Sequence, residues 1–218
     1  MIKNAYIDLY VNGNFKEKLL FNNKAYISNY TPKTNDHLKI FSSTQTYDTI
    51  NAEATIPNKT LINNEAVEFT KNGFIDKEGF LNDLIKFQFE DPANTENFYE
   101  AFISFTVETD STINTYQPYL YYSNNPIIEN EDQLIYELRS ILFSDELFDG
   151  KTAFIDIAFE KHYINNNERI KQTRLIFMSI SKEYYLYKKS RSLSSTRFRI
   201  KFPKRNKMGY TNVEFKCL

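Results

Sequence analysis

Residues 175–189 of the chain read LIFMSISKEYYLYKK and contain an abrupt change of hydrophobic pattern. The run from Leu175 to Met178 is continuously apolar, which is typical of a β-strand buried on both faces. Ser181 then offers an N-cap side chain, Glu183 falls in the first turn of a helix, and two lysines fall in its last turn, the charge order that a helix dipole favours. The sequence therefore predicts a buried strand that runs directly into a short helix near residues 181–190.

Three tyrosines lie within this predicted helix. Tyr184 and Tyr187 share a face, whereas the side chain of Tyr185 diverges from that of Tyr184 by about 100°. We expect Tyr184 and Tyr187 to be buried. Tyr185 is then left near solvent, where it is available to a partner.

The composition favours a folded protein with an aromatic core. The 218 residues include 19 Phe and 16 Tyr, and 41% of them are hydrophobic, which excludes the disordered class. The net charge of -1 gives the whole molecule no electrostatic preference for nucleic acid. The single cysteine, Cys217, excludes an intramolecular disulfide and a zinc site built from several cysteines.

The first 60 residues read as short strands separated by turns. Residues 5–11 alternate in polarity and are followed by Asn12-Gly13, a strong hairpin signal, so that residues 15–21 return as the partner strand. Three further strands are expected, at residues 25–27, 37–43 and 48–56. This spacing predicts an immunoglobulin-like β-sandwich over residues 1–60.

Residues 61–218 carry longer strands and predict a second, larger β-sandwich. Residues 84–90 and 98–108 flank a polar turn at Asp91-Pro92, and we interpret them as a long hairpin. The alternating residues 152–159 and the strand at 175–178 flank another polar loop, which predicts a second hairpin. The predicted fold class is mainly β, with an N-terminal immunoglobulin-like sandwich, a larger C-terminal β-sandwich and one short helix.

Clustered acidic residues provide one candidate metal site. Asp145, Glu146 and Asp149 suit a hard cation such as calcium, which prefers several oxygen ligands. The spacing is not that of an EF-hand, and Gly150 follows the acids as it would in an ordinary solvated turn. Both interpretations stay open: a calcium loop, or a turn that binds no cofactor.

Tyrosines provide a candidate binding surface, because their amphipathic rings suit both carbohydrate and protein surfaces. Tyr119, Tyr121 and Tyr122 are expected to be exposed together with Tyr116, and Tyr185 of the helix joins them as a candidate binding residue. The alternative is that all are ordinary tyrosines of a sheet.

Two further classes of function find little support. Residues 197–202, RFRIKF, separate three cations from three apolar side chains, which is the pattern of a charged strand face rather than of a nucleic-acid site. Catalytic motifs such as GxSxG, HExxH and a phosphate-binding glycine loop are absent. We predict a protein without catalytic residues and keep a β-sandwich hydrolase with two converging carboxylates as an alternative.

Several stretches together resemble the Bacteroidota domain-of-unknown-function 4249 family. They follow the family's order and cover nearly the whole chain: NAYIDLY (4–10) with Asn12-Gly13, AEATIP (52–57), FEDPA (89–93) with NFY (97–99), FSD (143–145) with FDGK (148–151), SISKEYYLY (179–187) and YTNV (210–213).

The resemblance implies an outer-membrane lipoprotein, surface-exposed and encoded beside TonB-dependent transporters of the SusC type, with no assigned catalytic residues. The family's lipid anchor sits on a cysteine that is missing from this chain, and Cys217 cannot replace it. The expected partner is therefore an outer-membrane TonB-dependent transporter or another envelope protein. The alternative is a carbohydrate-binding module whose ligand is a glycan.

Overall fold

The computed structural model describes residues 2–119, 121–128, 139–161, 167–193 and 210–215. Its strands and its helix follow one another along the chain: β1 (Tyr6–Val11), β2 (Asn14–Lys18), β3 (Leu20–Phe21), β4 (Tyr26–Ile27), β5 (His37–Ser43), β6 (Ile50–Thr55), β7 (Glu68–Ile75), β8 (Leu81–Glu90), β9 (Phe98–Glu108), β10 (Ile113–Tyr116), β11 (Tyr121–Tyr122), β12 (Ile141–Ser144), β13 (Thr152–Phe159), β14 (Arg169–Ile180), α1 (Lys182–Leu193) and β15 (Tyr210–Phe215). A 3-10 turn at Asn64–Ala66 precedes β7. The predicted mainly β fold class with one short helix is confirmed within these ranges.

The N-terminal region is an antiparallel sheet in the order β2-β1-β5-β6, accompanied by the small β3-β4 sheet. The turn between β1 and β2 holds Asn12 and Gly13 at φ of 52° and 81°, the left-handed backbone that a tight hairpin needs. The first predicted hairpin is therefore confirmed. The small sheet is tied to β1, because the backbone N–H of Ala5 donates to the hydroxyl of Tyr26 at 2.7 Å.

The strands from β7 to β15 form two facing antiparallel sheets. One sheet has the order β10-β9-β14-β15, with β12 also paired to β9, and the other has the order β11-β13-β8-β7. Aromatic side chains from both sheets fill the space between them: the ring of Phe89 on β8 lies 4.7 Å from that of Phe177 on β14 and 4.9 Å from that of Tyr99 on β9. This core contains fully buried Phe, Tyr, Ile and Leu side chains from five strands, which is the packing expected of a β-sandwich.

The two hairpins predicted for this region are wrong. Strand β8 pairs with β7 and β13, whereas β9 pairs with β10, β12 and β14, so β8 and β9 lie in opposite sheets. Strands β13 and β14 are likewise in opposite sheets. Each connection crosses the sandwich, because both neighbouring strands place an apolar face in the same core and need not pair with each other.

Strand β14 leads into helix α1 as predicted. The hydroxyl of Ser181 caps the helix by accepting a hydrogen bond from the backbone N–H of Tyr184 at 3.2 Å. The helix covers the outer side of β9, where the ring of Tyr185 lies 4.6 Å from that of Phe98. Helix α1 also contacts β6, so that it lies against both the N-terminal sheet and the sandwich.

The expected burial of the helix tyrosines is wrong. Tyr185 is only 6% exposed and Tyr187 is 36% exposed, while Tyr184 is half-buried. The face that meets the sheet carries Tyr185 and Lys188, which are three residues apart. A lysine can lie on this face because the carboxylate of Glu100 on β9 is directly beneath it, and the Lys188 Nζ lies 2.9 Å from Glu100 Oε1.

The segment before β7 ties the N-terminal region to the sandwich. The backbone N–H of Thr60 donates to the hydroxyl of Ser179 at 3.1 Å, and Ile62 forms an isolated bridge with Phe89. The division predicted at residue 60 stays a prediction. The predicted strand at residues 197–202 and Cys217 lie outside the described residues.

Substitution of Lys188 by Met should destabilise the protein strongly, because the carboxylate of Glu100 would remain buried without its cation. We expect a loss of about 3–5 kcal/mol in the free energy of unfolding, measured by urea denaturation.

The matched control is Lys182→Met on the same helix. The Nζ of Lys182 lies 2.7 Å from Glu96 Oε2, but both side chains are more than half exposed, so the loss should stay below about 1 kcal/mol. Equal losses for the two variants would contradict the structural role assigned to Lys188.

Candidate functional site

Two turns of the sandwich meet and bind each other. The turn at residues 91–97 connects β8 to β9, and the turn at residues 145–151 connects β12 to β13. Two backbone hydrogen bonds of 3.1 Å join them, from Asp91 N to Lys151 O and from Asp145 N to Asn97 O. We call this pair of turns the turn interlock, and it holds the crossing from one sheet to the other.

Three aspartates strengthen the turn interlock by accepting hydrogen bonds from backbone N–H groups of the opposite turn. The pairs are Asp91 Oδ2 with Gly150 N at 3.0 Å, Asp145 Oδ2 with Asn97 N at 2.7 Å, and Asp149 Oδ1 with Asn94 N at 3.0 Å. Each carboxylate thus satisfies an N–H group that no strand ladder uses.

Tyr99 adds a buried donor to the same junction. Its hydroxyl donates to Asp91 Oδ1, and its ring packs among the aromatic side chains of the core. Burial raises the pKa of Tyr99 far above its ordinary value, and the hydrogen bond to Asp91 acts in the same direction. The phenol therefore stays protonated and serves as a hydrogen-bond donor.

The pKa of Asp91 is raised above its ordinary value. Burial is the largest cause, and the nearby charges of Asp145 and Asp149 add to it. The hydrogen bonds from Tyr99 and Gly150 act in the opposite direction without cancelling the rise. The site therefore brings three carboxylates together, with Asp91 and Asp145 buried and Asp149 exposed.

The carboxylates of Asp91, Asp145 and Asp149 each place one oxygen within 4.8 Å of the other two, an arrangement that could hold a metal ion. Of the three residues predicted to bind calcium, the structure places Asp145 and Asp149 together. Glu146 is exposed and outside this group, and Asp91 takes its place. Sequence spacing missed Asp91 because it lies on a different turn, although it belongs to the FEDPA stretch of the family resemblance. Calcium binding itself stays a prediction.

Gly150 is required where the two turns touch. Its φ of +68° lies in the left-handed region, and a Cβ at this position would lie 2.7 Å from the Cβ of Ala93. Glycine thus fits both the backbone conformation and the close approach.

The tyrosines predicted to bind a ligand do not share one surface. Tyr119 is exposed, with the guanidinium of Arg139 at 4.0 Å from its ring centroid. Tyr121 is buried, because its partner on β13, Phe159, faces the core. The hydroxyl of Tyr121 accepts a hydrogen bond from the backbone N–H of Ile103 at 3.0 Å.

The ring of Tyr122 is half-buried and stacks on Phe74 at 5.7 Å. The expected exposure is therefore correct for Tyr119 and wrong for Tyr121 and Tyr185. A binding role for Tyr119 and Tyr122 stays a prediction.

A different exposed feature lies at the tip of the β7–β8 hairpin. Ile75 and Leu81 pair across the two strands, Phe80 is adjacent, and the three side chains are between 49% and 65% exposed. We call these three residues the apolar tip. Hydrophobic patterning does not reveal this feature, because Gly73 and Gly79 make residues 72–82 read as a loop.

The apolar tip is held by a network around Asp76. The carboxylate of Asp76 accepts from the backbone N–H of Phe80 at 2.8 Å, from that of Glu78 at 3.1 Å and from the side-chain amide of Asn82 at 3.0 Å. Burial acts to raise the pKa of Asp76, but these hydrogen bonds outweigh it and leave that pKa below its ordinary value. The loop is therefore ordered by its own hydrogen bonds.

Comparison with known proteins identifies a family. A model of the family described as "Domain of unknown function (DUF4249)" matches residues 1–213. No curated protein and no solved structure matches the chain. Among the described residues, no helix is both long enough and apolar enough to cross a membrane.

Substitution of Gly150 by Ala should break the contact between the two turns. Left-handed backbone costs an alanine about 1–2 kcal/mol, and the clash with Ala93 should add about 1–3 kcal/mol. Gly13→Ala is the control, because Gly13 has φ +81° but open space around its Cα. Equal losses in urea denaturation would show that the approach to Ala93 is unimportant.

Removal of divalent cations tests the three aspartates. Since each already accepts a hydrogen bond from the chain, we expect the melting temperature to change by less than about 1 °C between 1 mM EDTA and excess calcium. A calcium-dependent rise that Asp149→Asn abolishes would instead identify a metal centre.

Proposed function

The chain belongs to the family described as Domain of unknown function (DUF4249), and from this we propose that it is a non-enzymatic binding protein of the cell envelope. Its proposed partner is another protein, an outer-membrane TonB-dependent transporter. Its proposed location is the outer membrane, with a lipid anchor as the family resemblance implies. The family resemblance is the support for both the transporter and the location.

A structural use of the acidic residues supports a role other than catalysis. Asp91 and Asp145 are buried and accept hydrogen bonds from the chain's own donors, as Asp149 also does. Such carboxylates serve to hold turns together. A glycoside hydrolase would instead need one carboxyl to protonate the leaving oxygen and a second to act on the sugar, both open to a substrate.

The observation that carries the proposal is the apolar tip. Ile75, Phe80 and Leu81 stand in solvent at the end of a hairpin, and large apolar side chains exposed together are typical of interaction sites. The network around Asp76 fixes the loop before any partner arrives. Binding would then lose little conformational entropy, which favours affinity.

A protein is a better partner for this tip than a lipid bilayer. The loop between β7 and β8 also contains Lys77 and Glu78, which are both exposed. Insertion of this loop into hydrocarbon would require desolvation of both charges. A protein can instead bury the apolar side chains in a pocket and leave the two charges at its polar rim.

Co-purification from native outer membranes tests the proposal. The full-length lipidated protein, extracted in mild detergent, should retain a TonB-dependent transporter, and the double variant Ile75→Ser, Phe80→Ser should lose most of it. Loss of one well-packed apolar contact at an interface centre weakens binding by about tenfold or more.

The control variant is Leu147→Ser, Phe154→Ser, which changes two side chains that are 63% and 64% exposed elsewhere on the molecule. It should retain the transporter at the level of the unchanged protein. Elution of the unchanged protein without any transporter would refute the proposal, and so would equal retention by the tip variant.

A further inference from the structure

One face of the N-terminal sheet carries a group of four aromatic side chains, two of which are more than half exposed. Tyr6 and Tyr10 project from the same side of β1, since strand side chains alternate. Phe15 pairs with Tyr10 from β2, and Phe41 contacts Tyr10 from β5. We call these four residues the aromatic face.

The rings support one another through edge-to-face contacts. The centroid of Tyr10 lies 5.7 Å from that of Phe15 and 5.4 Å from that of Phe41, with interplanar angles of 76° and 79°. Tyr10 and Phe41 are half-buried, whereas Phe15 and Tyr6 are 58% and 56% exposed. The half-buried rings of Tyr10 and Phe41 thus lie between the exposed rings of Tyr6 and Phe15.

The exposed rings lie far enough apart to contact more than one unit of a ligand. Tyr6 and Tyr10 are four residues apart on β1, which corresponds to about 14 Å along the strand. Phe15 lies beside Tyr10 on the neighbouring strand. An extended ligand that runs along β1 could therefore rest on Phe15 at one end and on Tyr6 at the other.

Charges of both signs surround the aromatic face and balance. The Nζ of Lys18 lies 5.1 Å from the ring centroid of Tyr6, and Lys18 pairs across the ladder with Asp8. The Nζ of Lys39 lies 5.1 Å from the ring centroid of Phe41 and 3.4 Å from Glu53 Oε2. These four residues thus supply two cations and two carboxylates.

Hydrogen-bonding capacity also remains on this face. The exposed side chain of Asn51 lies two strands away from Asp8, opposite Phe41. Donors and acceptors are therefore interspersed with the rings.

We propose that the aromatic face binds a neutral oligosaccharide. Sugar rings have an apolar face of C–H groups that packs on aromatic rings, and their hydroxyls both donate and accept hydrogen bonds. They can therefore pair with lysines and carboxylates alike. An anionic polymer such as single-stranded nucleic acid needs a net positive groove, which the balanced charges do not provide.

This site is distinct from the apolar tip, which lies on the β7–β8 hairpin of the sandwich. The glycan proposal does not depend on the transporter proposal. Failure of one leaves the other intact, because one is measured with purified glycans and the other with membranes.

Affinity electrophoresis through gels that contain a soluble polysaccharide tests the proposal. Xyloglucan, galactomannan, arabinoxylan and glycogen are the neutral probes, and polygalacturonate and the oligonucleotide dT20 (by gel shift) are the anionic ones. We expect retardation by at least one neutral polysaccharide. The double variant Tyr6→Ala, Phe15→Ala should bind it at least about tenfold more weakly, because two stacking contacts are removed.

The matched control is Phe154→Ala, which removes an exposed ring of the sandwich and should leave glycan binding unchanged. Circular dichroism and melting temperature of the double variant should match those of the unchanged protein, since both rings are mostly in solvent. Three results would overturn the proposal: no retardation by any neutral probe, equal retardation of the double variant, or binding to dT20 or polygalacturonate alone. A concentration-dependent dimer lost in the double variant, without glycan binding, would assign the face to self-association instead.

Discussion

Glu100 and Lys188 form a buried ion pair between β9 and α1. Glu100 projects from the outer side of β9, and Lys188 reaches it from the inner face of α1. Because both side chains are buried, the helix can occupy only the position and rotation that bring the two groups together. The same helix contacts β6, so the fixed rotation of α1 also fixes the surface against which the N-terminal sheet rests.

The sequence predicted local structure better than it predicted which strands pair. The strand at 37–43 and the hairpin at Asn12-Gly13 were correct, because alternation and turn residues are local properties. The strands at 84–90 and 98–108 were also correct, but the hairpin between them was not. Alternation along a strand reveals which of its faces is buried, but it does not reveal which strand is its neighbour. The chain crosses the sandwich after β8 with the help of the turn interlock, and this depends on residues 145–151, which are far from β8 in the sequence.

The helix tyrosines and the acidic residues show the same limit. Helical spacing puts Tyr184 and Tyr187 on one face and predicts that this face is buried, which leaves Tyr185 to solvent. The carboxylate of Glu100 beneath the helix instead selects the face that contains Lys188. Asp145 and Asp149 were predicted as neighbours, but Asp91 could join them only through the fold. Spacing along the chain predicts clusters of side chains that belong to one turn, but it misses clusters that two separate turns form together.

The pairing of β9 has a consequence for how the protein folds. This strand is buried along nearly its whole length, yet its longest partner, β14, and the helix that covers its outer side follow it only after β10 to β13. Strands β10 and β12 can pair with one edge of β9 as they appear, but the other edge stays open in a chain emerging from the ribosome until β14 has been synthesised. The pairing of β14 with β9 then forms contacts between distant parts of the sequence, and folding is slow for that reason. The protein must therefore be protected from aggregation during synthesis if it is to reach the native state.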